Sequence, residues 1–357
     1  MKNALKTTCL ALLVLALAGC GKNPQVPQNT IAAAYVDLEK AYENGTRFTR
    51  AIIGELPDAS RPGALKAYDR VIKDIGRYKD ALNPKWAVIT FGGAIANPPR
   101  ALRRNVAMAV RIDTDESTAD KTLRQWIKER TGKEDVKPEV REKGVVYEVY
   151  SFHAGRIGGD ILVFSDAKEA FEDMFSLYTG KSAPSNDFRE LFRISGNTLA
   201  RISTIPIYSV IDRFGLTAAV EKFGVACDDE DLADMILHLG VATLDILADE
   251  QDIGLSLRIV CGSSDDAKMF EHVFQTIAFV SRTGSDLGAY FAANPANLPA
   301  LFESYKDVIG RTKIFFNAAS RAFDAARNGR IAEITFAMSI DMIAKALAKA
   351  FDTPHHL

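Results

Sequence analysis

Two segments of this chain open alike. Residues 29–32 read NTIA and residues 197–200 read NTLA, 168 positions apart. Four residues alone carry little, but the elements after them keep the same order. After the first opening, a strand-like run at 32–36 leads into helical sequence. Ser60 then stands before a helix with Pro62 in its first turn. Leu65, Tyr68, Val71, Ile72, Ile75 and Tyr78 make its apolar stripe. Strands are expected at 86–91 and 105–112, then a helix over STADKTLRQWIKERTG. After the second opening, helical sequence runs through Phe223. Strands come next at 241–247 and 252–259, then a helix over SSDDAKMFEHVFQTIAFV.

Arg111-Ile112 and Arg258-Ile259 repeat 147 positions apart, Ser117 and Asp120 match Ser263 and Asp266 at 146, and both hydroxyl–acid pairs fit capping boxes. The strand–cap–helix unit recurs at 160–164, capped at Ser165 or Asp166, and at 331–337, with a helix from about Ser339. A long helical stretch over 299–327 separates them. The pattern predicts an α+β fold: two similar halves of antiparallel strands with helices packed on one face, residues 29–195 and 196–357. Whether the halves share one sheet stays open.

The N-terminus has a different logic. Lys2 and Lys6 are its only charges before residue 20, and an apolar run of ten residues, 9–18, comes after them. Crossing a bilayer takes about 20 apolar residues. A positive start, a short apolar middle and small residues at the end are the marks of an export signal. Leu17, Ala18, Gly19 and Cys20 resemble the lipobox of bacterial lipoproteins. That resemblance implies cleavage between Gly19 and Cys20, a diacylglyceryl group on the thiol, and residues 1–19 lost as signal peptide. Several acyl chains on one cysteine would hold the protein to a membrane without a spanning segment. Pro24 and Pro27 favour extended chain, so residues 20–28 are expected to be a tether. Gly21 after the cysteine favours the outer membrane. The body, from about 30 to 350, resembles poorly characterised bacterial envelope proteins with repeated strand–helix modules; pattern alone implies no activity.

Loss of residues 1–19 leaves 338 residues and moves the formal charge from −2 to −4. A negative body argues against nucleic acid as partner. The 47% hydrophobic and 25% charged shares are those of a globular domain. With Cys20 lipidated, Cys227 and Cys261 remain. They are either one disulfide, as an oxidising compartment allows, or two separate buried thiols.

No motif points to a cofactor, a metal or a catalytic group. TGKS at 179–182 ends like a phosphate-binding loop, but Phe175 stands where that loop needs glycine, and Gly180 fits a helix C-terminus better. DTDEST at 113–118 lacks the glycine and distal glutamate of a calcium loop. DDEDLAD at 228–234 reads as a solvated loop and helix start. His153 is expected in a turn, His238 and His272 show no metal spacing, and His355 and His356 fall in the tail. Phe270 with Phe274 and Phe315 with Phe316 read as core. Residues 284–300, with Tyr290 and Phe291 among small residues and prolines, either pack as core, the default for such aromatics, or form a loop that lines a groove for a partner.

The chain therefore reads as a lipid-anchored, non-enzymatic binding or scaffold protein of the cell envelope, its ligand or envelope partner unread. A hydrolase with a dispersed site and a carrier of lipid or another apolar ligand are the alternatives. The carrier requires a sizeable apolar cavity between sheet and helices. Protein made in a bacterial host is expected to show an intact mass lacking residues 1–19 and carrying added lipid. Cys20→Ala should abolish both changes.

Overall fold

The computed structural model describes residues 23–56, 58, 60–92, 106–133, 136–194, 196–226, 230–294 and 323–351. Cys20 and Cys227 lie outside them, as do 299–322 of the expected long helix, Phe315, Phe316, His355 and His356.

Among the described residues seven strands come from the first half: β1 (Thr30–Asp37), β2 (Trp86–Gly92), β3 (Val106–Arg111), β4 (Glu139–Arg141), β5 (Gly144–Val149), β6 (Phe152–Ile157) and β7 (Ile161–Ser165). Five come from the second: β8 (Thr198–Thr204), β9 (Ala242–Ala248), β10 (Asp252–Val260), β11 (Phe323–Asn328) and β12 (Ile331–Ser339). They form one twelve-stranded sheet in the order β11-β12-β10-β9-β8-β1-β2-β3-β7-β6-β5-β4. All its pairings are antiparallel. The two halves thus share a sheet, joined where β1 meets β8. Each arm leaves the seam the same way: three strands in chain order, then the last strand, then the one before it.

The helices are α1 (Leu38–Glu55), α2 (Arg61–Leu82), α3 (Glu116–Thr131), α4 (Lys168–Tyr178), α5 (Ile207–Arg213), α6 (Thr217–Ala226), α7 (Glu230–Leu237), α8 (Ser264–Ala293) and α9 (Ile340–Phe351). Their starts show which caps won. Ser263 and Asp266 make the expected capping box on α8. On α3 the cap is Asp115, which accepts from the Thr118 amide at 2.9 Å, so the helix starts a residue before Ser117. Asp120 is thereby freed to meet Tyr147. Ser60 precedes α2 without a side-chain cap bond. Before α4, Ser165 Oγ accepts from the Ala167 amide, and the N-cap position falls to Ala167.

Side chains divide between the two faces by strand period. One register row crosses from β10 to β5: Leu257, Leu244, Ile202, Ala34, Ile89, Met108, Phe164, Ala154, Tyr147. α3 packs on this face through Leu123 and Ile127, and α8 through Phe270 and Phe274. The next row is Ser256, Asp245, Arg201, Tyr35, Val88, Ala109, Val163, Gly155, Val146. It faces the opposite way. There α4 covers the first half with Phe171, Met174 and Phe175. The one-face arrangement holds for α3 and α8, and α4 adds a layer behind. Gly155 lets it approach: a Cβ there would stand 2.9 Å from the Phe171 ring.

Three other expectations change. The tether ends before Gln25, because Val26 is only 1% exposed in the core under α4. The Ser185 amide donates to its carbonyl at 2.8 Å, and the Gln25 amide donates to Tyr178 Oη at 3.0 Å. One valine among polar residues and prolines is enough to fill a hole. Residues 284–293 continue α8 rather than looping out. Residues 323–327 are strand β11, paired to β12, rather than helix, since a sheet edge was there to receive them.

Where the second half turns polar on the α4 side, Asp245 bridges two arginines. Arg201 donates to it through Nε (2.5 Å) and Nη2 (2.9 Å), and Arg258 through Nη2 (2.6 Å). Arg201 Nη1 also donates to the Glu190 carbonyl at 2.9 Å, tying down the short turn Arg189–Phe192. Removing one partner of a buried ion pair leaves an uncompensated charge. Asp245→Ala is therefore expected to cost about 3–5 kcal/mol in urea unfolding, and Asp245→Asn less.

Candidate functional site

The helices α1, α2 and α3 do not close fully on the sheet. α2 leans on its two neighbouring helices, and Tyr68 is its one buried residue. Between these helices and the faces of β2, β3 and β7 lies a cavity of about 540 Å³. Leu38, Ala41 and Tyr42 of α1 line one side; Ile75, Tyr78, Lys79 and Leu82 of α2 the next; Thr122, Leu123 and Trp126 of α3 the third. Its floor is Ala87, Met108, Val110, Leu162 and Phe164 of the sheet. The size is that of small-molecule pockets, roughly 300–1,000 Å³. Ile75 lines it and is still 47% exposed, so the space communicates with solvent.

The rim is held by named contacts. Trp126 packs 5.1 Å from Phe164 and 5.2 Å from Phe152, centroid to centroid, which fixes the indole against the floor. Tyr78 donates to Glu129, and Arg77 Nη2 donates to the same carboxylate at 3.1 Å, clasping α2 to α3. Burial and then Glu129 raise the Tyr78 phenol above its ordinary value, and the Tyr78 hydrogen bond in turn lowers Glu129. Lys79 Nζ lies 4.1 Å from the centroid of the Tyr42 ring, a cation–π contact at the wall.

One layer away, α3 is fastened to β5. Tyr147 Oη donates to Asp120 Oδ1 at 2.9 Å and accepts from Arg124 Nε at 2.9 Å. Burial, helped by the Asp120 carboxylate, pushes the Tyr147 phenol up to about 12.

The residues singled out from sequence lie elsewhere. Cys261 is a buried free thiol, raised by desolvation, with Sγ 3.9 Å from the Ile259 carbonyl. His153 is in strand β6 rather than a turn, 5% exposed, its ring 5.7 Å from Phe171. The turn comes later, at Gly158 with φ +60°. Ser165 pairs opposite His153, but its hydroxyl donates to the Val106 and Ala167 carbonyls. His238 and His272 each place Nδ1 2.7 Å from the carbonyl four residues earlier, and His238 also lies 3.4 Å from Asp234. Gly180 ends α4 at φ +77°, with Phe175 in the core. Asp115 of DTDEST caps α3, and Glu230 of DDEDLAD starts α7. Among the described residues no group of three or more metal-binding side chains gathers. No described helix is long and apolar enough to cross a membrane.

The cavity itself was not legible in the sequence. Ile75 and Tyr78 belonged to the apolar stripe of α2, and Trp126 stood inside the helix expected for α3.

No protein-family pattern and no curated protein sequence matches the chain. Among solved structures it is similar to TP0453 in crystal form III, with a TM-score of 0.41 and 10% identity, over 92% of this chain and 98% of that one. It is also similar to crystal form I of the same protein, with a TM-score of 0.40 and 10% identity, over 93% and 100%.

Because the folded state raises the Tyr147 phenol, it favours the protonated side chain. That stabilisation is complete below about pH 10 and is lost as pH climbs toward 12. Urea midpoints measured across that window should fall more steeply for the wild type than for Tyr147→Phe.

Proposed function

We propose that this chain is a lipid-anchored protein of the bacterial cell envelope whose body holds an apolar ligand between α1, α2, α3 and the sheet. A carrier has one structural requirement, and the cavity of about 540 Å³ is the observation that meets it. A wall of Leu38, Ile75, Leu82, Met108, Val110 and Phe164 offers a ligand the gain of leaving water and asks it for few hydrogen bonds. The clasp of Tyr78 and Arg77 on Glu129 keeps the wall in place without occupying it.

The anchor supplies the setting. Acyl chains on Cys20 would hold the protein at a membrane, the outer membrane by the Gly21 pattern. A tethered body with an apolar cavity stands beside the densest source of apolar molecules in a cell. Nothing in this role requires catalysis.

The test is binding of the neutral fluorophore N-phenylnaphthylamine to the full chain, depleted of detergent. Saturable binding accompanied by a change in Trp126 emission is expected. Ala41→Trp, which places an indole in the cavity from α1, should weaken binding about tenfold or more and leave the thermal midpoint nearly unchanged. Absence of saturable binding to the wild type, or equal binding by the variant, would remove the cavity from the account.

A further inference from the structure

The cavity wall carries one charge. Among the residues that line it there is a single cation, Lys79, and no carboxylate. Its ammonium rests on the Tyr42 ring, 4.1 Å from the centroid. The neighbouring carboxylate on α3, Glu129, is already shared by Tyr78, Arg77 and Gln125. Lys79 therefore meets the cavity with a ring face as its partner, a weaker one than an anion would be. It also sits in the last turn of α2, where the helix end favours positive charge, so it is held at the wall rather than drawn away.

Resting on the reading of this cavity as a ligand site, we propose that its ligand is an amphiphile: an apolar chain in the cavity and an anionic head on Lys79. The apolar walls would take the chain, and Lys79 would trade the Tyr42 face for a charge-assisted hydrogen bond to a carboxylate or phosphate. Thr122 also lines the wall and brings a hydroxyl to it. A neutral chain would gain the burial alone. A cationic amphiphile would meet like charge at the one charged point of the wall.

The experiment is displacement of N-phenylnaphthylamine from the full chain at about pH 8, where a fatty acid in solution is ionised. Laurate and lysophosphatidylglycerol offer the two sources of such an anion, a free acid and a membrane lipid. Dodecanol is the uncharged comparison. At least one anion should displace the probe about tenfold or more below the concentration dodecanol needs, and the more effective of the two identifies the source. Lys79→Met should erase that advantage while dodecanol displaces as before, and Lys79→Arg should keep it. Equal displacement by dodecanol and both anions in the wild type would overturn the proposal, as would an anion preference that survives Lys79→Met. Either result leaves the cavity a binding site. Failure of the probe to bind the wild type would instead overturn the reading beneath it.

Discussion

The β1–β8 pairing is the contact on which the rest of the structure depends. Residues 32–36 lie antiparallel to 200–204, and everything else extends outward from that line. Without it each half would end in an exposed edge strand, a row of free amides and carbonyls open to any other chain. β1 suits the position: Ala33 and Ala34 are buried on opposite faces and small enough to admit packing from both sides. The same pairing puts Tyr35 across from Arg201. There the row on the α4 side changes from Val88, Ala109 and Val163 to Arg201, Asp245 and Ser256. The seam is thus a change of chemistry as well as a join. On that face the first half is held by apolar burial, the second by a carboxylate between two guanidiniums.

The arms repeat each other in strand order but not in how the helices settle. α8 lies directly on β11 and β12, its Phe274 and Ala267 buried with Ala332 and Ile259. In the first arm α3 also reaches the sheet, but α1 and α2 stand partly over the gap beside it. α2 meets α1 and α3 more than the strands. Close packing is the default of protein interiors, and a void of this size costs the contacts its lining would otherwise make. A helix clasped at its rim by Tyr78, Arg77 and Glu129 keeps that void from collapsing. Such a space makes physical sense where something else fills it.

Much of the fold was legible in the sequence. β1, β2, β3, β9, β10 and β12 stand within a residue or two of where alternation put them, as do the starts of α2 and α8. Failures came where two local solutions competed. Asp115 and Ser117 both offered a cap to α3, and the acid two residues earlier won, giving Asp120 to Tyr147. The glycines of HAGRIGG suggested a turn around His153, yet only Gly158 takes a left-handed conformation there, and Gly155 is small so that Phe171 can approach. Val26 fell in the expected tether and proved to be core.

The chain alone determined most of the strands and helices in their order, the antiparallel α+β class and the doubling of the plan. Periodicity, caps and turns act between residues a few positions apart, so they are written in short stretches. Tertiary structure decided that the halves share one sheet, that α4 crosses to the far face, and that α1, α2 and α3 stop short of closure. Those outcomes join residues far apart in sequence, Tyr35 with Arg201 and Tyr78 with Glu129 among them. A cavity is the extreme case, since it consists of where side chains are not. Ile75, Trp126 and Met108 stand in three separate elements, and only their mutual distance leaves room between them.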